Sequence, residues 1–287
     1  MRKFRIVLSL CDGISCGYLA LKRGGFEFEK YYASEINDSA IKITKHNNKD
    51  ITHLGDLTKW REWDIDWKSV DLILAGTPCQ ALSNAGKRKG FIDPRSSLFH
   101  VFAEILDHVK SLNPEVKYLL ENVRMKREYL DIIIQRLGVF PRLINSKSVT
   151  FQNRERYYWF NFPYIPIPNN LGVKIGDVIP NAIGGFGRRG VNKGKKKPNG
   201  DISWEQNDGT TRKDEVLNAI TTRKGNTSKI KFKNGFTRSV TIDEAELAQT
   251  LPVGYTNVPD VSQTKRWHGI GNGWTVDVIK YILDGLK

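Results

Sequence analysis

The sequence predicts an α/β fold built on a parallel, doubly wound sheet, and three observations carry that expectation. Short apolar runs alternate with segments of helical period through the first half of the chain. The runs stop at glycine, proline or acidic residues, as strands do where they meet a turn. A length of 287 residues is enough for one large core, or for a large domain with a small one.

Residues 4–10 read as the first strand, and Cys11-Asp12-Gly13-Ile14-Ser15-Cys16-Gly17 as a loop opening the helix that holds residues 18–22. Residues 31–34 form a second strand ending in Glu35, with Asp38 or Ser39 as cap of the next helix. Residues 51–54 are a short third strand, closed by Gly55-Asp56, and residues 70–74 are the fourth. Apolar residues at 98, 101, 102, 105, 106 and 109 give a helix over 97–110. Residues 116–120 are a fifth strand ending in Glu121-Asn122. Two further strands are expected at 146–151 and 157–162.

From 163 to about 238 the chain is rich in Gly, Pro, Asn and Lys, with little helical period. Thr241 with Glu244 reads as a capped helix start, and 275–286 as a closing helix. The expected division is therefore a main domain over 1–162, a mostly irregular or β region over 163–237, and helices over 238–287 that return to the main domain.

The formal charge of +14 points to a polyanionic partner, nucleic acid first and an anionic membrane surface second. Three cysteines, Cys11, Cys16 and Cys79, suit a reducing compartment better than a disulfide framework. The apolar run after Met1 ends too soon for a signal peptide, and no segment approaches membrane-spanning length, so a cytoplasmic protein is expected. The histidines show no metal spacing with the cysteines, and no metal site is expected.

Chemistry concentrates at the strand ends. Cys79 follows Gly76-Thr77-Pro78 just beyond the fourth strand, where Pro78 stiffens the turn. It reads as a small buried hydrophobe or, with its thiolate favoured, as a nucleophile. Glu121 ends the neighbouring strand, where a desolvated carboxyl can carry and donate a proton. It reads equally as a surface acid beside Arg124 and Lys126. Glu35 suits ribose hydroxyls and Asp56 an exocyclic amine, although each alone also reads as a solvated turn acid. Together with the first loop they point to a nucleoside-containing cofactor. Arg154 and Arg156, two apart on an expected strand, would project the same way and hold a phosphate or a base oxygen, unless they form a solvated charged face. The run 184–200 holds Arg188, Arg189, Lys193, Lys195, Lys196 and Lys197 with no acid, and suits either phosphate contacts or a solubilising loop.

These pieces, in this order, resemble the cytosine-C5 DNA methyltransferases. The likeness rests on Thr77-Pro78-Cys79-Gln80 with Ser83, Lys87, Arg88 and Arg95, on Glu121-Asn122-Val123, on Gln152-x-Arg154-x-Arg156, and on Gly271-Asn272-Gly273-Trp274-Thr275-Val276. Within that family, Asp12-Gly13-Ile14, the 95–102 stretch and the late Trp274 look most like compact phage or bacterial members and the vertebrate de novo enzymes. Two positions depart: Cys11 replaces the first loop's aromatic, and Gly273 replaces the closing block's serine.

The resemblance implies a Rossmann-like, class I methyltransferase domain with a mixed sheet and a small target-recognition region. It implies S-adenosylmethionine as cofactor, with S-adenosylhomocysteine as product. The cofactor would be held by Asp12, Gly13, Ile14, Ser15, Gly17, Glu35, Ile36, Asp56, Leu57, Gly76, Pro78, Leu98, Asn272, Trp274 and Val276. Catalysis would fall to Cys79, Glu121, Arg154 and Arg156. Double-stranded DNA would be met by Gln80, Ser83, Lys87, Arg88 and the basic run named above, with a restriction endonuclease as a candidate partner and the oligomeric state left open. A transfer-RNA methyltransferase and a catalytically silent DNA-binding relative are the alternatives.

Overall fold

The computed structural model describes residues 3–78, 97–168, 171–186, 195–196, 202–203, 214–222 and 229–287. The chain begins β1 (Lys3–Leu10), α1 (Cys16–Gly24), β2 (Glu27–Ser34), α2 (Asp38–Asn47) and β3 (Ile51–His53). Two 3₁₀ turns, Leu57–Glu62 and Trp67–Ser69, lead into β4 (Val70–Ala75). Then come α3 (Ser97–Leu112), β5 (Lys117–Val123), α4 (Arg127–Leu137), β6 (Arg142–Asn145), β7 (Gln152–Asn153) and β8 (Glu155–Phe160).

Seven of these strands form one sheet in the order β3-β2-β1-β4-β5-β8-β6. Pairing is parallel from β3 through β5, and antiparallel where β8 joins β5 and β6 joins β8. The strand order reverses between β1 and β4, where an open α/β sheet leaves a crevice beyond its carboxyl ends. The two faces are covered separately. One carries Phe4, Leu21, Leu74 and Ile279 among α1, α2 and the C-terminal helix, and the other carries Phe102, Ile105, Ile133 and Trp159 under α3 and α4. Residues buried on both faces explain why β1 and β4 read as near-continuous apolar runs.

The later chain holds α5 (Ile175–Val178), β9 (Ala182–Phe186), β10 (Lys195–Lys196), β11 (Ile202–Ser203), β12 (Leu217–Asn218), β13 (Lys229–Phe232) and β14 (Thr237–Ser239). Here β9, β13 and β14 make a small antiparallel sheet, and β12 pairs with β7. The chain closes with α6 (Ile242–Ala248), α7 (Gln263–Asn272) and α8 (Val276–Leu283), the last packed against α1.

Several expectations need correcting. The cap of α2 is Asn37, whose side chain accepts from the Ala40 N–H, instead of Asp38 or Ser39. The strand expected at 146–151 is a 3₁₀ turn followed by the buried Phe151, and the edge strand lies earlier, at β6. Helices α4 and α7 were not foreseen. Leu130, Ile133 and Leu137 of α4 do keep helical spacing, whereas α7 carries few apolar residues. The capping box of Thr241 and Glu244 forms as expected.

The C-terminal segment meets the backbone at 221–222 without slack. A Cβ on Gly271 would lie 2.4 Å from the backbone of Thr221 and Thr222. Gly271→Ala should therefore destabilise the chain by about 2 kcal/mol, as overpacked sites do, read as a lower denaturant midpoint.

Candidate active site

Beyond the carboxyl ends of β1, β2, β4 and β5 lies a cavity of about 350 Å³. Its floor is the loop after β1. Cys11 and Ser15 adopt left-handed backbone (φ 55° and 60°), and Gly13 does so at φ 61°. The turn delivers the Asp12 carboxylate to the hydroxyls of Ser9 (2.6 Å), Tyr31 (2.8 Å) and Ser15. It also lets the Gly13 N–H donate to Glu35 Oε2 at 2.9 Å. The other oxygen of Glu35 accepts from the N–H groups of Ile36 (2.9 Å) and Asn37 (2.8 Å), so this carboxylate is fixed where β2 ends. Asp56 caps the turn after β3, accepting from the Thr58 N–H and hydroxyl through Oδ1 alone, each at 2.9 Å. Ile36, 75% exposed, offers an apolar surface at the cavity mouth.

On the opposite wall Glu121 lies near the end of β5, only 8% exposed. Its Oε1 meets Arg156 Nε at 3.1 Å, and its Oε2 accepts from Trp274 Nε1 at 3.1 Å. The neighbouring cations take other partners: Arg124 pairs with Glu155 and Lys126 with Glu128. Asn122 Nδ2 donates to the backbone and hydroxyl oxygens of Thr77 at 3.3 Å, tying β5 to the turn that carries Pro78.

Arg154 differs from expectation. It lies between β7 and β8, is 4% exposed, and does not share a strand face with Arg156. Its Nη1 donates to Ile220 O, and its Nη2 to Gly271 O and Gly273 O, at 3.0–3.1 Å. It braces the closing block, while Arg156 reaches Glu121.

Of the expected cofactor residues, Asp12, Gly13, Glu35, Ile36, Asp56, Leu57, Gly76, Pro78, Leu98, Asn272 and Trp274 line the cavity. Ile14, Ser15, Gly17 and Val276 do not; all are buried and support the lining from behind. Cys79, Gln80, Ser83, Lys87, Arg88, Arg188, Arg189, Lys193 and Lys197 lie outside the described residues, as do the side chains of Lys195 and Lys196. The sequence reading missed Lys265 and His268, which line the cavity with Asn272. Their spacing of three and four residues puts them on one face of α7, a signal available only once that helix is recognised. Among the described residues there is no cluster of side chains suited to a metal ion, and no helix is long and apolar enough to cross a membrane.

The lining suits a cationic nucleoside ligand: acids stand at successive strand ends, and a glycine turn at Gly13 has nothing within 4 Å of where a Cβ would stand. Burial pushes the thiols of Cys11 and Cys16 up to about 12, so both stay protonated at neutral pH. Burial also pushes the Asp12 carboxyl up to about 6, against the pull of its three hydroxyl donors. Between an ordinary value of 3.8 and about 6 the folded chain holds a proton that the unfolded chain has released. Asp12 therefore favours folding below that window, and the advantage fades as pH rises through it. Unfolding free energy measured against pH should fall across this window in the wild type and lose that component in Asp12→Asn.

The chain as a whole is similar to known proteins. The profile of the C-5 cytosine-specific DNA methylases matches residues 6–170. The type II methyltransferase M1.ScrFI of Lactococcus lactis subsp. cremoris is 29% identical over 286 residues, covering 88% of this chain and 70% of that protein. M.NgoBV of Neisseria gonorrhoeae is 40% identical over 175 residues, covering 54% of this chain and 40% of its own length. The orphan methyltransferase M.Rho11sI of Bacillus phage rho11s is 36% identical over 174 residues, covering 55% and 33%. The chain thus spans well under half the length of the latter two. In fold, the Entamoeba histolytica methyltransferase EhMeth superposes with a TM-score of 0.71 at 19% identity, covering 100% of both chains. A Spodoptera frugiperda DNMT2 mutant gives 0.65 at 19%, covering 98% of this chain and 99% of its own. With the profile spanning more than half its length and the cavity at the expected strand ends, the chain belongs to the C-5 cytosine-specific DNA methylase family.

Proposed function

We propose that this chain methylates carbon 5 of cytosine in duplex DNA, with Cys79 as nucleophile and S-adenosylmethionine as methyl donor. The observation that carries the reading is the Glu121 carboxylate, held by Arg156 and Trp274 in a cavity that Pro78, the residue before Cys79, also lines.

The cofactor, when bound, supplies an electrophilic methyl group. Glu35 would take the ribose hydroxyls, Asp56 the adenine amine, and the loop around Asp12 and Gly13 the methionine portion. The target cytosine must leave the duplex to reach this cavity, at a cost of a few kcal/mol in lost stacking and pairing. The Cys79 thiolate then adds to ring carbon 6. Glu121 passes a proton taken up from solvent to the ring nitrogen, so the electron pair of the new adduct is available at carbon 5. That carbon would take the methyl group as the donor's carbon–sulfur bond breaks to leave S-adenosylhomocysteine. Solvent water would then take the carbon-5 proton, the ring nitrogen would return its proton to Glu121, and the Cys79 sulfur would depart with its bonding pair to restore the ring. Arg156 holds Glu121 in place, and Arg154 keeps the closing block against the cavity. The net charge of +14 favours the DNA backbone and makes binding fall with salt.

The test is trapping on duplex DNA carrying 5-fluorocytosine in the presence of S-adenosylmethionine. Fluorine cannot leave carbon 5 as a proton does, so the wild type should stall as a covalent complex and Cys79→Ala should form none. Glu121→Gln should slow methyl transfer by about 10²–10⁴-fold while still binding DNA, the range of a positioned acid. An adduct on transfer RNA but not on DNA would move the activity to RNA. DNA binding without any adduct would leave a silent binding protein.

A further inference from the structure

We propose that Trp274 is a positioning residue for proton transfer, its indole N–H setting the plane of the Glu121 carboxyl; this rests on the reading of Glu121 as proton donor. The hydrogen bond from Trp274 Nε1 to Glu121 Oε2 is 3.1 Å and joins residues 153 positions apart. Arg156 Nε serves the other oxygen at 3.1 Å. A carboxylate has about four lone-pair positions, so one donor on each oxygen fixes its rotation and leaves the rest for a base. With Arg156 alone, the group would be held at one oxygen and could turn.

The indole itself cannot swing. A Cβ on Gly76, at the end of β4, would lie 2.9 Å from Nε1 and 3.1 Å from Cζ2, and one on Gly17 of α1 would lie 3.3 Å from Cζ3. The ring is therefore pressed between two glycines, with its pyrrole edge at β4 and its benzene edge at α1. Its backbone is equally fixed. Gly273 O accepts from Arg154 Nη2 (3.0 Å) and Gln249 Nε2 (3.1 Å), and the Thr275 hydroxyl donates to Gln249 Oε1 at 2.8 Å. A ring locked in this way aims its one donor in one direction, and Glu121 is what it meets.

Phenylalanine keeps an aromatic ring at the site but removes the donor together with part of the indole's contacts, so for Trp274→Phe cofactor affinity is measured beside the rate to separate packing from aiming. At saturating S-adenosylmethionine, which removes any change in cofactor affinity from the reading, single-turnover methyl transfer by the variant should fall about tenfold, the scale of one hydrogen bond to a charged group. Loss of cofactor affinity with an unchanged rate at saturation would overturn the proposal, as would no change in either. A second measurement does not need that variant. The Trp274 indole ¹⁵N–¹H resonance, assigned in the wild type, should move in Glu121→Gln, and an unmoved resonance would overturn the proposal. A wild type that neither methylates nor traps would remove the reading of Glu121 as donor, and the resonance would still decide whether the hydrogen bond exists.

Discussion

The parallel pairing of β1 with β4, Leu10 opposite Ala75, is the constraint on which the site depends. Because the strand order reverses there, the helices that follow the two strands leave to opposite sides, and neither covers the gap beyond the strand ends. The backbone makes use of that gap at once. Asp12 N donates to Ser34 O at 3.0 Å, and Gly76 N to Leu10 O at 3.2 Å, so the loops after β1, β2 and β4 are joined before any side chain acts. Glu35, Asp56 and Glu121 then reach one cavity because their strands stop at one level, although they are far apart in sequence.

What closes the cavity is a buried polar network in which glutamine does most of the bridging. Gln152 donates to Ala248 O (2.8 Å) and Gln249 Oε1 (3.2 Å) and accepts from Ile220 N (2.7 Å). Gln249 in turn donates to Ile270 O and Gly273 O, at 2.9 and 3.1 Å. Each buried amide is satisfied on both its donor and acceptor sides, the condition under which buried polar groups lend rigidity. The block Gln152-x-Arg154-x-Arg156 therefore divides its labour: Arg154 braces the closing block directly, Gln152 does so only through Gln249, and Arg156 reaches Glu121 on the cavity wall.

Much of this was legible in the sequence. Continuous apolar runs ending at turn residues gave the parallel strands, and the polar residue beyond each run gave the acids of the cavity. Direction was the part that could not be read. Arg154 and Arg156 stand two apart, and on one regular strand they would project together; the break between β7 and β8 turns one inward, and only tertiary pairing produces that break. Glu27 and Glu29, on one face, and Lys30, on the other, hid the exposed start of β2, since charged residues open to water leave no apolar signature. Helix α7 was hidden for a related reason: it buries Trp267, Ile270 and Gly271 and otherwise carries polar residues.

The charge of the chain and the charge of its cavity oppose each other. The whole carries +14, yet the cavity gathers Asp12, Glu35, Asp56 and Glu121 against Arg154, Arg156 and Lys265. Both arginines already have partners, Arg154 on backbone carbonyls and Arg156 on Glu121, so the half of the cavity under Glu35 and Asp56 is acidic in effect. A field of this shape sorts ligands by sign. A polyanion is drawn to the body of the protein, and a compact cation is drawn beneath the strand ends. For a reaction that joins a sulfonium donor to a base on DNA, the two substrates would then arrive by different routes and meet only at the wall built from Glu121, Trp274 and the turn after β4.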